Sequence, residues 1–215
     1  MRLTRVAALL VILLSAMVTG QSRLAPDIDP ESLSRLPLID RAKLDAEGQQ
    51  IWDYLAGGRP LTKTGPAPLS LYSLKSAVAI HSLNQYLRTS VVGPRYFELS
   101  ALIAAREFDQ QYEWSGHEPT ALRAGLEQSV IDVVKFNRDV AGLAEKDATV
   151  IRLGRALFRD HKVSPDLWAR MVEQFGRQGA VEVTTIIGDY AMVGFLLTAV
   201  DQQLPPDRKP LLPPR

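Results

Sequence analysis

Apolar side chains recur every three to four residues along most of this chain, and no stretch alternates apolar and polar with the period of a strand. From Leu44 onward, Ala46, Ile51, Trp52 and Leu55 fall on one side of a predicted helix, and Gly57-Gly58 supplies its stop. Residues 59–68 hold three prolines and two separated basic residues and read as a loop, one that can overhang a pocket. Residues 69–87 are again apolar at helical spacing and include His81. Pro94 suits the first turn of the next helix, whose buried stripe is Leu99, Leu102, Ile103 and Ala104. A helix ending in His117 follows, with Gly125 as a cap beyond it. Val130, Ile131, Val133, Val134 and Phe136 mark another amphipathic segment, and Val150, Ile151, Leu153, Leu157 and Phe158 the next. Ser164-Pro165-Asp166 is a helix start made of a cap, a first-turn proline and an acid. Trp168, Met171, Val172 and Phe175 then form a core-facing stripe. The last helix, 181–201, is nearly all apolar and is predicted to be central. The fold class is all-α.

The two ends differ from this body. Arg2 and Arg5 precede an apolar run over 6–18, followed by the small residues Thr19 and Gly20, the layout of a secretory signal peptide. The run of 13 residues is short of the roughly 20 that span a bilayer. The expectation is a signal peptide over 1–20, a mature chain starting near Gln21, and a periplasmic or secreted protein. A membrane association follows only if the segment stays uncleaved. Residues 21–40, with Pro26, Pro30 and Pro37, read as an extended arm. Residues 41–204 form the helical domain, and 205–215, with five prolines, a tail over the surface or a neighbouring subunit.

Composition narrows the function. At 215 residues the chain can bury one core of useful size. With 46% hydrophobic residues and 25 basic against 24 acidic ones, neither disorder nor a polyanion-binding surface is indicated. Loss of Arg2 and Arg5 would leave the mature chain near neutral, so no nucleic-acid partner is expected. The absence of cysteine excludes a disulfide framework, a thiolate nucleophile and a cysteine-built zinc site.

The densest acid–base chemistry lies in 98–117. Glu113 and His117 are one helical turn apart on the same face. Glu98 lies nineteen residues before His117, about 28 Å away in an unbroken helix. The two can share a site only if the chain turns between them, and Glu107-Phe108-Asp109 is the predicted turn, with Asp109 capping a helix from Gln110. His117, one of three histidines, can both take and give a proton near neutral pH. Its alternative is a surface histidine at a helix end. Glu98 sits among Phe97, Leu99, Leu102 and Ile103, where a carboxylate is paired or uncharged. Pairing with Arg95 or Arg106 is its structural alternative. Tyr112 and Trp114 flank Glu113 as pocket-lining candidates, although aromatic residues at this spacing are often plain core. His81 is placed at the pocket mouth or in a structural role, and His161 at a helix end. The Glu-x-x-x-His spacing lacks the Glu-x-x-His ligands of a di-iron bundle, so no metal and no cofactor are expected.

The local text, Arg95-Tyr96-Phe97-Glu98-Leu99 followed by Tyr112-Glu113-Trp114-Ser115-Gly116-His117, resembles the carboxymuconolactone decarboxylase and alkylhydroperoxidase D superfamily over roughly residues 35–203. That family carries a Glu nineteen residues before a His. Its peroxidase branch has cysteines where this chain has Gln110 and Glu113, so the likeness is to the cysteine-free branch. The resemblance implies an alkylhydroperoxidase D-like helical bundle of two degenerate hairpin repeats, assembled as a trimer or hexamer. It implies lyase-type chemistry on a small carboxylated or lactone substrate, with His117, Glu98 and Glu113 catalytic and Tyr112, Trp114, Arg95 and His81 around the substrate. The stretch from Val181-Glu182-Val183 echoes Phe97-Glu98-Leu99 without a second Glu113 or His117. The alternative from another class is a non-catalytic ligand-binding or scaffold protein.

Overall fold

The computed structural model describes residues 24–214, so the proposed signal segment lies outside the described residues. Asp45 accepts a hydrogen bond from the Gly48 amide and opens α1 (Ala46–Ala56), which Gly57 closes in the left-handed region. There follow α2 (Pro66–Ser70), α3 (Leu74–Arg88), α4 (Gly93–Glu107), α5 (Gln111–Arg123), α6 (Gln128–Lys135), α7 (Glu145–Arg155) and α8 (Pro165–Ala199). A 3-10 turn (Arg41–Lys43) precedes α1 and a π turn (Ala156–Asp160) extends α7. The described residues contain no strand, only an isolated bridge between Asp29 and Ser34.

The core is built around α4, in which every residue of 97–106 is buried. A single stripe was expected there. The whole helix is enclosed because α8, α5, α7, α6 and α3 all pack on it. At its crossing with α7, Gly154 faces Ile103, and a methyl on Gly154 would overlap the Ile103 Cγ2. Leu99, Leu102, Trp114, Ile131, Ile151 and Met171 are all at or near zero exposure, and each large apolar group of this kind contributes about 1.5–3 kcal/mol by burial. Trp168 departs from the predicted stripe and stays 40% exposed.

α8 runs through the stretch 176, where Gly176 at φ 69 and ψ 171 breaks the helix. Few residues other than glycine adopt that conformation. The apolar part beyond the break is long and apolar enough to cross a membrane by length and composition. Here it is a core helix, with Val183, Ile186, Ile187, Tyr190 and Leu197 buried in the protein interior.

The two ends of the described residues are docked more firmly than proline content suggests. The 29–34 turn is pinned to the end of α8, where the Arg35 amide donates to Val200 O and the Gln202 side chain donates to Ser32 O and Leu33 O. The tail folds back along its own α5. The Leu211 and Leu212 amides donate to Gln111 Oε1, Arg106 donates to Pro213 O, and Leu212 enters the main core.

Candidate active site

The turn that joins α4 to α5 decides the site. Asp109 has φ 50, its amide donates to Arg106 O, and the Gln110 amide donates to Ala105 O. These two bonds make a Schellman closure with Asp109 as its left-handed residue, a conformation that Asp and Asn tolerate better than most. Asp109 therefore ends α4, and the predicted cap of α5 passes to Gln110, whose side chain accepts from the Tyr112 amide at 3.2 Å. The same closure recurs after α5 at Gly125, after α6 at Asn137 and after α8 at Asp201. α5 does not stop at His117 but continues to Arg123 through Pro119, which has no N–H to offer the carbonyl four residues back.

This reversal brings Glu98 and His117 together. The His117 Nδ1–H donates to Glu98 Oε2 at 2.6 Å, and Nε2 lies 3.3 Å from Glu113 Oε2. Glu98 and Glu113 are buried and the imidazole is 14% exposed. Burial alone would lower the His117 pKa. The hydrogen bonds and charges of Glu113 and Glu98 outweigh it and raise the value from 6.5 to about 9. At neutral pH the imidazole is a cation held between two carboxylates. The edge of Tyr190 packs on its ring at 4.7 Å between centroids.

These groups line a cavity of about 410 Å³ that α1, α2, α3 and α8 help to enclose. His81 also lines it, against the edge of Tyr54, and burial lowers its pKa. The cavity thus has a charged imidazole on α5 and a neutral one on α3 at neutral pH. Tyr112 is on the wall, its hydroxyl 3.0 Å from Thr64 Oγ1; the part of the expected 59–68 loop that lines the cavity, Pro66 and Ala67, is helical and opens α2.

Sequence reasoning missed a connected polar chain. Asn84 donates to Asp189 Oδ2, Arg88 donates to Asn84 Oδ1 at 2.9 Å and to the Tyr190 hydroxyl at 3.2 Å, and Tyr190 packs on His117. Burial raises the pKa of Asp189 and of Tyr190. A signal was present: His81, Asn84 and Arg88 make a polar stripe at helical spacing on α3, and Asp189, like Glu182, is an acid in the apolar part of α8. Arg208 reaches the cavity from the tail, and nothing in its local sequence marks it.

Neither a family model nor a curated protein matches this chain.

Two expected lining residues lie elsewhere. Trp114 is fully buried, and its Nε1 donates to Glu118, which Lys135 meets at 2.7 Å. Its polar end is satisfied within the core, so the ring has no cavity face. Arg95 is held by Asp147 and Glu127 and donates to Gly125 O. Two carboxylates in reach fix a guanidinium more strongly than an empty pocket. The alternative partners proposed for Glu98 are thus engaged elsewhere: Arg95 as described, and Arg106 with Pro213 O and Asp109. His161 sits in the left-handed region just after the π turn, at a helix end as expected. Among the described residues no cluster of three or more His, Asp or Glu is arranged to hold a metal ion.

Proposed function

We propose that this protein carries out acid–base chemistry of the carboxymuconolactone decarboxylase type on a small carboxylated or lactone substrate, with His117 as proton donor. The observation that carries this reading is the 2.6 Å contact between Glu98 and His117, nineteen residues apart, on the wall of a cavity. In such a reaction the bond to the carboxyl carbon breaks, carbon dioxide leaves, and its electron pair remains on the substrate as an enolate. A proton from His117 then reaches carbon, and the neutral imidazole regains its proton from solvent. Glu98 holds Nδ1 and fixes the ring. The longer contact at Nε2 makes that the proton to deliver, with Glu113 beside it. Arg88, which has no carboxylate partner among the described residues, offers positive charge for the enolate oxygen. His81 supplies a neutral acceptor in the same space. The test is turnover against a set of carboxylated lactones, read as carbon dioxide release. A chain inert to all of them counts against the reading.

The same reading includes the alkylhydroperoxidase D-like bundle of two related units, supported by the match between Glu98 in α4 and Glu182 in α8. Glu182 is buried as Glu98 is, but it accepts from Tyr86, Gln178 and the Val91 amide and ties α8 to the start of α4. It includes a homo-oligomer, supported by the exposed apolar residues Val181, Met192 and Phe195 on α8 with Val91 nearby in the Glu182 contact. It also includes export, supported by the N-terminal pattern alone. A non-catalytic binding role is favoured by one observation: both imidazole nitrogens are engaged by carboxylates, which holds the proton firmly.

A further inference from the structure

The C-terminal tail leaves α8, crosses α5 and places one guanidinium on the cavity wall. Arg208 lies over the Tyr112 ring at 4.7 Å, and its Nη1 lies 3.7 Å from where a side chain on Gly116 would begin. Gly116 directly precedes His117, so this charge borders the acid–base group. Among the described residues Arg208 makes no ion pair, although Asp207 is its neighbour in sequence. A guanidinium held over a ring still has N–H groups to spare, and they match a carboxylate with two parallel hydrogen bonds. Arg88, the cavity's other guanidinium, likewise lies over a ring, that of Phe97 at 4.8 Å, but it already spends donors on Asn84 and Tyr190. The tail itself is held in place beyond Arg208 by Gln111, Ser115 and Arg106. The side chain is therefore delivered by a fixed strap, and the Tyr112 platform is itself anchored to Thr64.

We propose that Arg208 is the residue that selects for a carboxylate on the ligand, so that the tail, outside the helical domain, completes the binding site. The inference rests on the cavity being a substrate site, as proposed above, but not on His117 being the proton donor. Its role is binding and selection; the acid–base step belongs to His117. A substrate anchored through Arg208 would lie with its carboxylate beside Gly116 and its remainder directed at the His117 and His81 faces of the same cavity.

The test is calorimetric titration of the full chain with benzoate and adipate, each beside its uncharged amide, benzamide and adipamide. At least one carboxylate is expected to bind the unaltered protein more tightly than its amide. Arg208→Gln is expected to weaken that carboxylate about 10- to 100-fold, the scale of a lost charge-assisted pair, and to leave amide binding unchanged. Lys209→Gln, an exposed neighbour off the cavity wall, serves as the control and is expected to bind like the unaltered chain. No preference for any carboxylate over its amide overturns the proposal. So does an Arg208→Gln protein that retains the preference, or one that loses carboxylate and amide binding alike, which marks a packing role on Tyr112. Binding is read without turnover, so a His117→Gln protein that still releases carbon dioxide would refute the acid–base reading and leave this result standing.

Discussion

At the scale of single residues, the proposed chemistry rests on one imidazole between two carboxylates. If Glu98 and His117 act as a unit, His117→Gln keeps the fold and lowers turnover about 10²–10⁴-fold, and Glu98→Gln costs a similar amount. The double variant is then scarcely worse than either single one, because residues that act together are not additive. Steady-state rates of the three variants check this, and independent, multiplicative losses would break the unit. The charge on His117 also carries a pH signature. Its pKa is raised on folding from 6.5 to about 9, so the folded state binds the proton more tightly than the unfolded chain. The resulting stability is fully present below pH 6.5 and is lost as pH rises through about 9. Proton donation should fade over the same upper limb. An NMR titration of the His117 ring nitrogens beside denaturation curves between those limits checks both. An imidazole that titrates near 6.5 would contradict the ion triplet.

At the scale of elements, the turn after α4 shows how a correct expectation arrives by a different route. A reversal at 107–109 was predicted with Asp109 as the start of the second helix, and the reversal occurs there with Asp109 as the end of the first. The ambiguity is physical, since short polar side chains suit both a helix start and a left-handed helix end. The crossing of α4 and α7 leaves no room for a side chain at position 154. Gly154→Ala puts a methyl into Ile103, and overpacking of this kind costs about 1–3 kcal/mol. Chemical denaturation of the variant should show that loss with an unchanged slope. Undiminished stability would mean that α7 can move off α4 freely.

At the scale of the whole molecule, α8 has two faces. One buries Ile186, Ile187 and Leu197, and the other leaves Phe195 63% exposed and Val181 55% exposed. That exposed side is the proposed association surface, since a contiguous apolar patch on a helix face is where a second copy would pack. We expect an oligomer at micromolar concentration by light scattering, and Phe195→Lys should shift it toward monomer while far-UV circular dichroism stays helical. A sharp monomer mass for the unaltered chain would count against the assembly. The tail was expected over the surface or a neighbour. It lies along α5 of its own chain, because Leu212 finds a place in the core and Gln111 satisfies the adjacent amides.

Most helices, the cap at Ser164, the stop at Gly57 and the acid–base candidates were legible in the sequence, because each depends on periodicity or on a side chain meeting backbone within a few residues; α2, inside the expected 59–68 loop, was not. The Glu113–His117 contact belongs to the same class, one helical turn apart. What only the tertiary structure decided is which distant groups share a space. Glu98 meets His117 through a left-handed closure, Asp189 and Arg88 join through Asn84, and Arg208 enters from a tail that carries no motif. Trp114 and Arg95, by contrast, were drawn away by nearer partners in Glu118, Asp147 and Glu127. The local code is written in hydrogen bonds that close over three to five residues. The cavity depends on helices crossing at angles and depths set by packing, and no window of adjacent residues contains that information.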